Sequence, residues 1–116
     1  MIVYQWGIFK ANLNPTKGSE QAGVKPVLVI SAEEVNAYLP VVTIVSLTSA
    51  KPGRNVYPTE VYLSVDDTGL PIDSIAMAHQ IRAISKERLG ERYGSIESIK
   101  TKQLLQNAIK IYLDLV

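Results

Sequence analysis

The sequence predicts an α+β domain: a small curled sheet or β-barrel of short strands, with short helices and a C-terminal α-helix packed outside it. Two observations carry this. Several short runs of apolar and β-branched residues are separated by Gly, Pro, Asn and Asp. Beyond Ser85 the apolar spacing changes from strand-like to helical. A chain of 116 residues fits one domain, residues 1–116, with enough buried surface for a single core.

The elements follow in order. Ile8, Phe9, Ala11 and Leu13 mark a first strand that starts near Ile2, and Asn14-Pro15 ends it because proline cannot extend a ladder. Gly18 and Gly23 punctuate the loop that follows. Pro26 pre-sets an extended start to "VLVIS", a continuous apolar run typical of a buried strand. "SAEEVNAYLP" reads as a connection with one helical turn, capped by Ser31 with Glu34 three residues on. "VVTIVSLTS" is rich in β-branched residues and reads as a third strand. "AKPGRNVYP" is a loop, "TEVYLSV" the returning strand and "DDTGLP" a turn. "DSIAMAHQIRAIS" reads as two strand-like halves or one kinked strand. "SKERLGERYG" suggests a helical turn capped by Ser85 and stopped by Gly90 or Gly94. Ser95 is placed to cap the last helix. Its apolar stripe is Ile96, Ile99, Leu104, Leu105, Ala108, Ile109, Tyr112 and Leu115, opposite Lys100, Lys102, Gln103, Gln106 and Lys110.

Composition narrows the function classes. Apolar residues make up 47% and charged residues 20%, which is globular rather than disordered composition. Without cysteine there is no disulfide or thiolate metal site, which suits a reducing cytoplasm. The opening "MIVYQWGIF" lacks a basic segment before a long apolar run, so no signal peptide is expected. No run approaches the roughly 18 apolar residues of a membrane span. With 12 basic and 11 acidic residues the net charge is +1, so any anion site must be a local arrangement. His79 is the only histidine, and so the only side chain that ordinarily titrates near neutrality.

"NPTKGSEQAGVKPVLVIS", "VVTIVSLTS", "AMAHQIRAI" and "KERLG", in this order and spacing, resemble the MazF/PemK-type toxins of bacterial toxin–antitoxin systems. The resemblance runs from Trp6 to the last helix. It implies an SH3-like β-barrel, a homodimer that binds single-stranded RNA along the dimer groove, and sequence-selective RNA cleavage without metal or cofactor. It also implies an antitoxin partner whose C-terminal segment occupies that groove, in a cytoplasmic setting. RNA cleavage by the 2′-hydroxyl needs a base for that proton, a cation for the phosphorane charge and an acid for the leaving oxygen. Residue by residue, the resemblance implies that Lys25 stands where the family commonly has a catalytic arginine and that Thr48 is the catalytic hydroxyl. It further implies that Glu20 belongs to the site and that His79 replaces a usually acidic residue able to move a proton. Lys17, Ser19, Lys51, Arg54, Gln80 and Arg82 are candidate RNA contacts. Trp6 and Phe9 read as core or interface aromatics rather than stacking platforms. Three departures stand out: "QWG" replaces a common Arg-Gly-Asp or Gly-Asp opening, lysine offers phosphate a point charge where arginine offers a fork, and His79 stands where relatives usually have an acid. They leave open the alternative of a weakened toxin-fold protein that binds antitoxin or RNA.

Overall fold

A computed structural model describes residues 2–116. The strands are β1 (Gly7–Asn12), β2 (Val24–Val29), β3 (Val41–Ser49), β4 (Glu60–Leu63), β5 (Ser74–Ser85) and β6 (Leu89–Ser95). The helices are α1 (Glu33–Asn36), α2 (Val65–Thr68) and α3 (Ile99–Leu113), with a single 3₁₀ turn at Lys86–Arg88. All strand pairs are antiparallel, in the order β4-β5-β3-β2-β1-β6. The α+β expectation is met by an open curled sheet whose edges are β4 and β6. Short α2 packs against both edge strands and bridges the gap.

Alternation along the strands sorts the core into two clusters. Ile8, Leu28, Val45 and Leu47 face one side, where Leu105 and Ala108 of α3 cover them. Phe9, Ala11, Val27, Val29, Val42 and Ile44 face the other, with Leu13, Ile84, Tyr4 and Leu89. A sheet apolar on both faces explains why "VLV" is a continuous run rather than an alternating one.

Several expectations need correction. The first strand begins at Gly7, not near Ile2, because Gln5 and Trp6 form a turn. Trp6 there has φ +64°, a left-handed conformation unusual for a bulky residue. Gly7 is held so tightly that a Cβ would lie 2.6 Å from Phe9 Cε1. The "QWG" opening therefore has a structural role: it turns the chain so that Trp6 N–H donates to Val29 O and Gly7 N–H to Tyr4 O. β2 starts at Val24, ahead of Pro26.

Ser31 does not cap α1, which follows Ala32 with no side-chain cap. The Ser31 hydroxyl instead donates to Asn36 Oδ1 and accepts from Thr43 N. Glu33, rather than Glu34, faces the N-terminal turn and accepts from the Tyr4 and Gln5 amides. Burial pushes its carboxyl pKa up, but the Gln5 amide, Asn36 and the Tyr4 amide outweigh that and hold it below the usual value. "DDTGLP" contains α2, not only a turn: Ser64 and Asp67 form a reciprocal capping box and Gly69 closes it in the left-handed conformation.

β5 is the kinked strand. Met77 pairs with Ser46 but Arg82 with Ile44, so the pairing is interrupted around residues 78–81. Ser85 caps only the 3₁₀ turn, its hydroxyl accepting from Glu87 N. Gly90 and Gly94 lie inside β6 rather than stopping a helix. A Cβ on Gly94 would stand 2.1 Å from the Thr68 carbonyl oxygen, so only glycine lets β6 approach α2 this closely. Ser98, not Ser95, caps α3 by accepting from Thr101 N. Leu105, Ala108 and Ile109 carry its packing, while Ile99, Leu104, Tyr112 and Leu115 are exposed.

Candidate active site

The site grows out of the end of the β2–β3 ladder. Pairing runs from Val29↔Ile44 to Val27↔Ser46 and stops there. Pro26 has no N–H to donate, so the ladder cannot be continued through it. On its other side β2 stays paired with β1 as far as Asn12↔Val24. Continued in register, the β2–β3 pairing would set Lys25 opposite Thr48. Beyond that point the strands leave a hollow of about 550 Å³ lined by both residues. Ser49, Ser74 and Tyr93 share the lining with the apolar side chains of Leu47, Leu70 and Ile72. The Lys25 side chain is exposed and the Thr48 side chain half-buried. The hollow is thus bordered by one exposed lysine and by residues that bear hydroxyls, of which Ser74 is buried and donates to Ile72 O.

The loop before β2 is held at its base by Leu13 N–H on Gly23 O and by Gly23 N–H on Asn14 Oδ1, 2.9 and 3.0 Å. Glu20 does not line the hollow. Its carboxylate accepts from Lys17 N at 2.8 Å while its own N–H donates to Lys17 O, a local clasp within the loop. Gln80 reaches the same loop from the β5 kink: its amide oxygen accepts from Gln21 N at 3.2 Å and its nitrogen donates to Ser19 O at 3.0 Å. Arg82 points along the same flank, its guanidinium 3.5 Å from Leu13 O. Among the described residues, Ser19, Gln80 and Arg82 thus shape the loop, while Lys17 projects into solvent.

The β3–β4 connection is built differently. Arg54 makes a forked ion pair with Glu60, at 3.1 and 2.8 Å, and also donates to Asn55 O. The Glu60 side chain is 1% exposed. Its hydrogen bonds from Arg54 are the main cause holding its carboxyl below the ordinary carboxylate range, and the Tyr57 amide adds to them. Arg54 is therefore committed within the protein, whereas Lys51 on the same connection is exposed. His79 is exposed on β5 and faces Thr59, with its Nδ1 3.4 Å from Thr59 Oγ1. The structure brings Lys25 and Thr48 together; His79, Glu20 and Arg54 stand outside the hollow.

The apolar side of the hollow was not foreseen. Leu70, Pro71 and Ile72 come from the α2–β5 connection and Tyr93 from β6. Only a strand reading of residues 89–95 would have pointed Tyr93 there.

An open curled antiparallel sheet with a flanking C-terminal helix defines a small barrel-type α+β protein, with a hollow at the end of β2 and β3 that Lys25 and Thr48 both line. The chain matches the family described as PemK-like, MazF-like toxin of type II toxin-antitoxin system over residues 4–113. It belongs to that family. It is 39% identical over 113 residues to Endoribonuclease MazF9 of Mycobacterium tuberculosis, with 93% of each chain covered. It is 34% identical over 108 residues to Endoribonuclease MazF of Staphylococcus saprophyticus, covering 93% of this chain and 88% of that one. Its fold is similar to an endoribonuclease solved in complex with its cognate antitoxin from Mycobacterial species, with a TM-score of 0.78 at 24% identity over 97% of this chain and 95% of that one.

Proposed function

We propose that the protein is the toxin of a toxin–antitoxin pair, a metal-independent endoribonuclease that cleaves single-stranded RNA with sequence selectivity. The family and its endoribonuclease relatives support the activity. The observation that carries the chemistry is the hollow shared by Lys25 and Thr48.

In this reading the scissile phosphate enters the hollow. The RNA 2′-hydroxyl attacks the adjacent phosphorus, its proton passes to a base, and the P–O5′ bond breaks as the 5′-oxygen gains a proton. The products are a cyclic phosphate and a 5′-hydroxyl. The Lys25 ammonium opposes the charge that builds on the phosphorane oxygens. The Thr48 hydroxyl orients the phosphate or the attacking 2′-hydroxyl. Glu20 sets the shape of the loop that leads into Lys25. His79, outside the hollow, contacts an RNA long enough to pass from the hollow to the β5 kink. Lys17 and Lys51 add phosphate contacts along that path.

The protein acts as a homodimer in the cytoplasm, restrained by an antitoxin whose acidic C-terminal segment takes the place of RNA. The structural relative solved with its cognate antitoxin supports that partnership. Among the described residues no helix is long and apolar enough to cross a membrane.

The test is direct. Purified protein is incubated with a long defined RNA in the presence of EDTA, and the cut ends are mapped. Cuts at a recurring sequence with cyclic-phosphate ends are expected. Cleavage that continues unchanged in Lys25→Ala would remove Lys25 from the mechanism.

A further inference from the structure

The "QWG" turn borders a second hollow, of about 270 Å³, that shares no lining residue with the one at Lys25 and Thr48. Lys25 pairs with Ala11 whereas the turn precedes Gly7, and roughly 13 Å of strand lies between Gly7 and Ala11. Gln5, Trp6, Glu33, Arg92, Glu97 and Lys102 bring polar groups to this second hollow. We propose that it binds a phosphorylated pentose: Lys102 and Arg92 hold the phosphate, and Glu97 accepts from a sugar hydroxyl. The inference goes beyond the nuclease reading and does not depend on it.

The ligand follows from which groups are already spent. The Glu33 carboxylate accepts from the Tyr4 and Gln5 amides and from Asn36 Nδ2, and Gln5 Oε1 accepts from Glu33 N. Arg92 uses one nitrogen on Val3 O, at 2.9 Å, and rests its guanidinium over the Phe9 ring. Lys102 is half-buried, its ammonium 5.6 Å from the centre of the Trp6 ring. The ring holds that ammonium in place while leaving its N–H groups without an oxygen. Among the described residues neither Arg92 nor Lys102 forms an ion pair. One Glu97 oxygen accepts from the Ser95 hydroxyl, and the other has no donor. The hollow thus holds a surplus of charged N–H donors and one idle carboxylate oxygen. Phosphate oxygens match the donors, and a hydroxyl matches the carboxylate, which can only accept. The volume is at the small end for a ligand site, which suits a pentose rather than a larger conjugate. The frame is set before any ligand arrives. Trp6 is fixed at φ +64° because its N–H donates to Val29 O and its carbonyl accepts from Ile96 N, both at 2.8 Å.

Trp6 is the only tryptophan, so its fluorescence reports on this hollow. The protein is titrated at constant ionic strength with ribose 5-phosphate, inorganic phosphate and ribose, with calorimetry as a second readout. Saturable binding is expected for ribose 5-phosphate, weaker binding for phosphate and none for ribose. Lys102→Gln and Arg92→Gln should each weaken ribose 5-phosphate by about 10- to 100-fold, the worth of a hydrogen bond to a charged group. Glu97→Ala should erase the preference for ribose 5-phosphate over phosphate. A diribonucleotide with a 5′-phosphate, set against its 5′-hydroxyl twin, separates a free sugar phosphate from a strand end. A response confined to the phosphorylated dinucleotide assigns the site to a strand end and keeps its chemistry. Equal affinity in wild type, Lys102→Gln and Arg92→Gln overturns the site, as does the absence of both fluorescence change and heat with every phosphorylated ligand.

Discussion

Two cations near the hollow, Lys25 at the start of β2 and Arg54 between β3 and β4, are used in opposite ways. Lys25 sits beyond the end of the β2–β3 pairing while still paired with β1, exposed, with Thr48 across a hollow rather than a carboxylate beside it. Arg54 is closed onto buried Glu60 by a forked pair. The first region is shaped by hydrogen bonds and close packing and leaves its positive charge free for a ligand. The second consumes its positive charge to hold a loop in place. Two basic residues of equal formal charge therefore have different worth to an anion, and sequence position alone does not distinguish them.

The sharpest break of this comparison is Lys25→Ala. It should lower RNA cleavage by about 100- to 1000-fold, the range for losing one preorganised donor, while leaving thermal stability nearly unchanged. Lys25→Arg should retain activity, since a fork also meets phosphate oxygens. Arg54→Ala should show the reverse pattern. It strands a buried carboxylate and should cost about 3 kcal/mol of stability, seen as an earlier denaturant midpoint. Its pH dependence follows from Glu60, whose folded pKa Arg54 holds below the ordinary 4.5. A depressed carboxyl stabilises the fold above the ordinary carboxylate range and stops doing so as pH falls through its folded value. The stability gap between wild type and Arg54→Ala should thus be widest near neutral pH and close on acidification. A gap that widened in acid would contradict the ion-pair account.

Gly94→Ala tests the packing side of the comparison. The added methyl meets the Thr68 carbonyl, and overpacking of this kind costs about 1–3 kcal/mol. Because β6 must then move away from α2, the variant should unfold at an earlier denaturant midpoint. The smallest effect is expected from the exposed lysines. Lys17→Ala and Lys51→Ala should each flatten the dependence of log K on log salt by about 0.7, the slope for one phosphate contact on single-stranded nucleic acid. Arg54→Ala, measured where it remains folded, should leave that slope alone.

How much of this was legible beforehand depends on what each residue had to satisfy. β-Branched runs such as "VVTIVSLTS" announce strands because their side chains suit a pleated, buried surface, and that reading stands. β6 escaped because "LGERYGS" holds two glycines and no β-branched residue; Gly94 is there for contact with Thr68, which is far away in the sequence. α2 was readable from Ser64 and Asp67, a capping-box spacing hidden by the turn-like "DDTG" after it. Ser95 and Ser98 are equivalent by type, and only the helix start separates them. At the site, Lys25 and Thr48 were singled out only through the family resemblance; the fold sets both on the lining of one hollow, just beyond the end of the β2–β3 pairing. Arg54 read as a free cation because its partner Glu60 is six residues away in a strand whose burial the sequence did not declare. Leu70, Ile72 and Tyr93 carried no signal, since apolar residues on three separate segments look like ordinary core until the fold gathers them.

The amide of Gln80 accepts from Gln21 and donates to Ser19, while its neighbour His79 rests against Thr59. Both residues lie where β5 is released from β3. The kink therefore meets the glycine-rich loop through one side chain and the β3–β4 connection through the one before it, so a single strand borders both sides of the cleft.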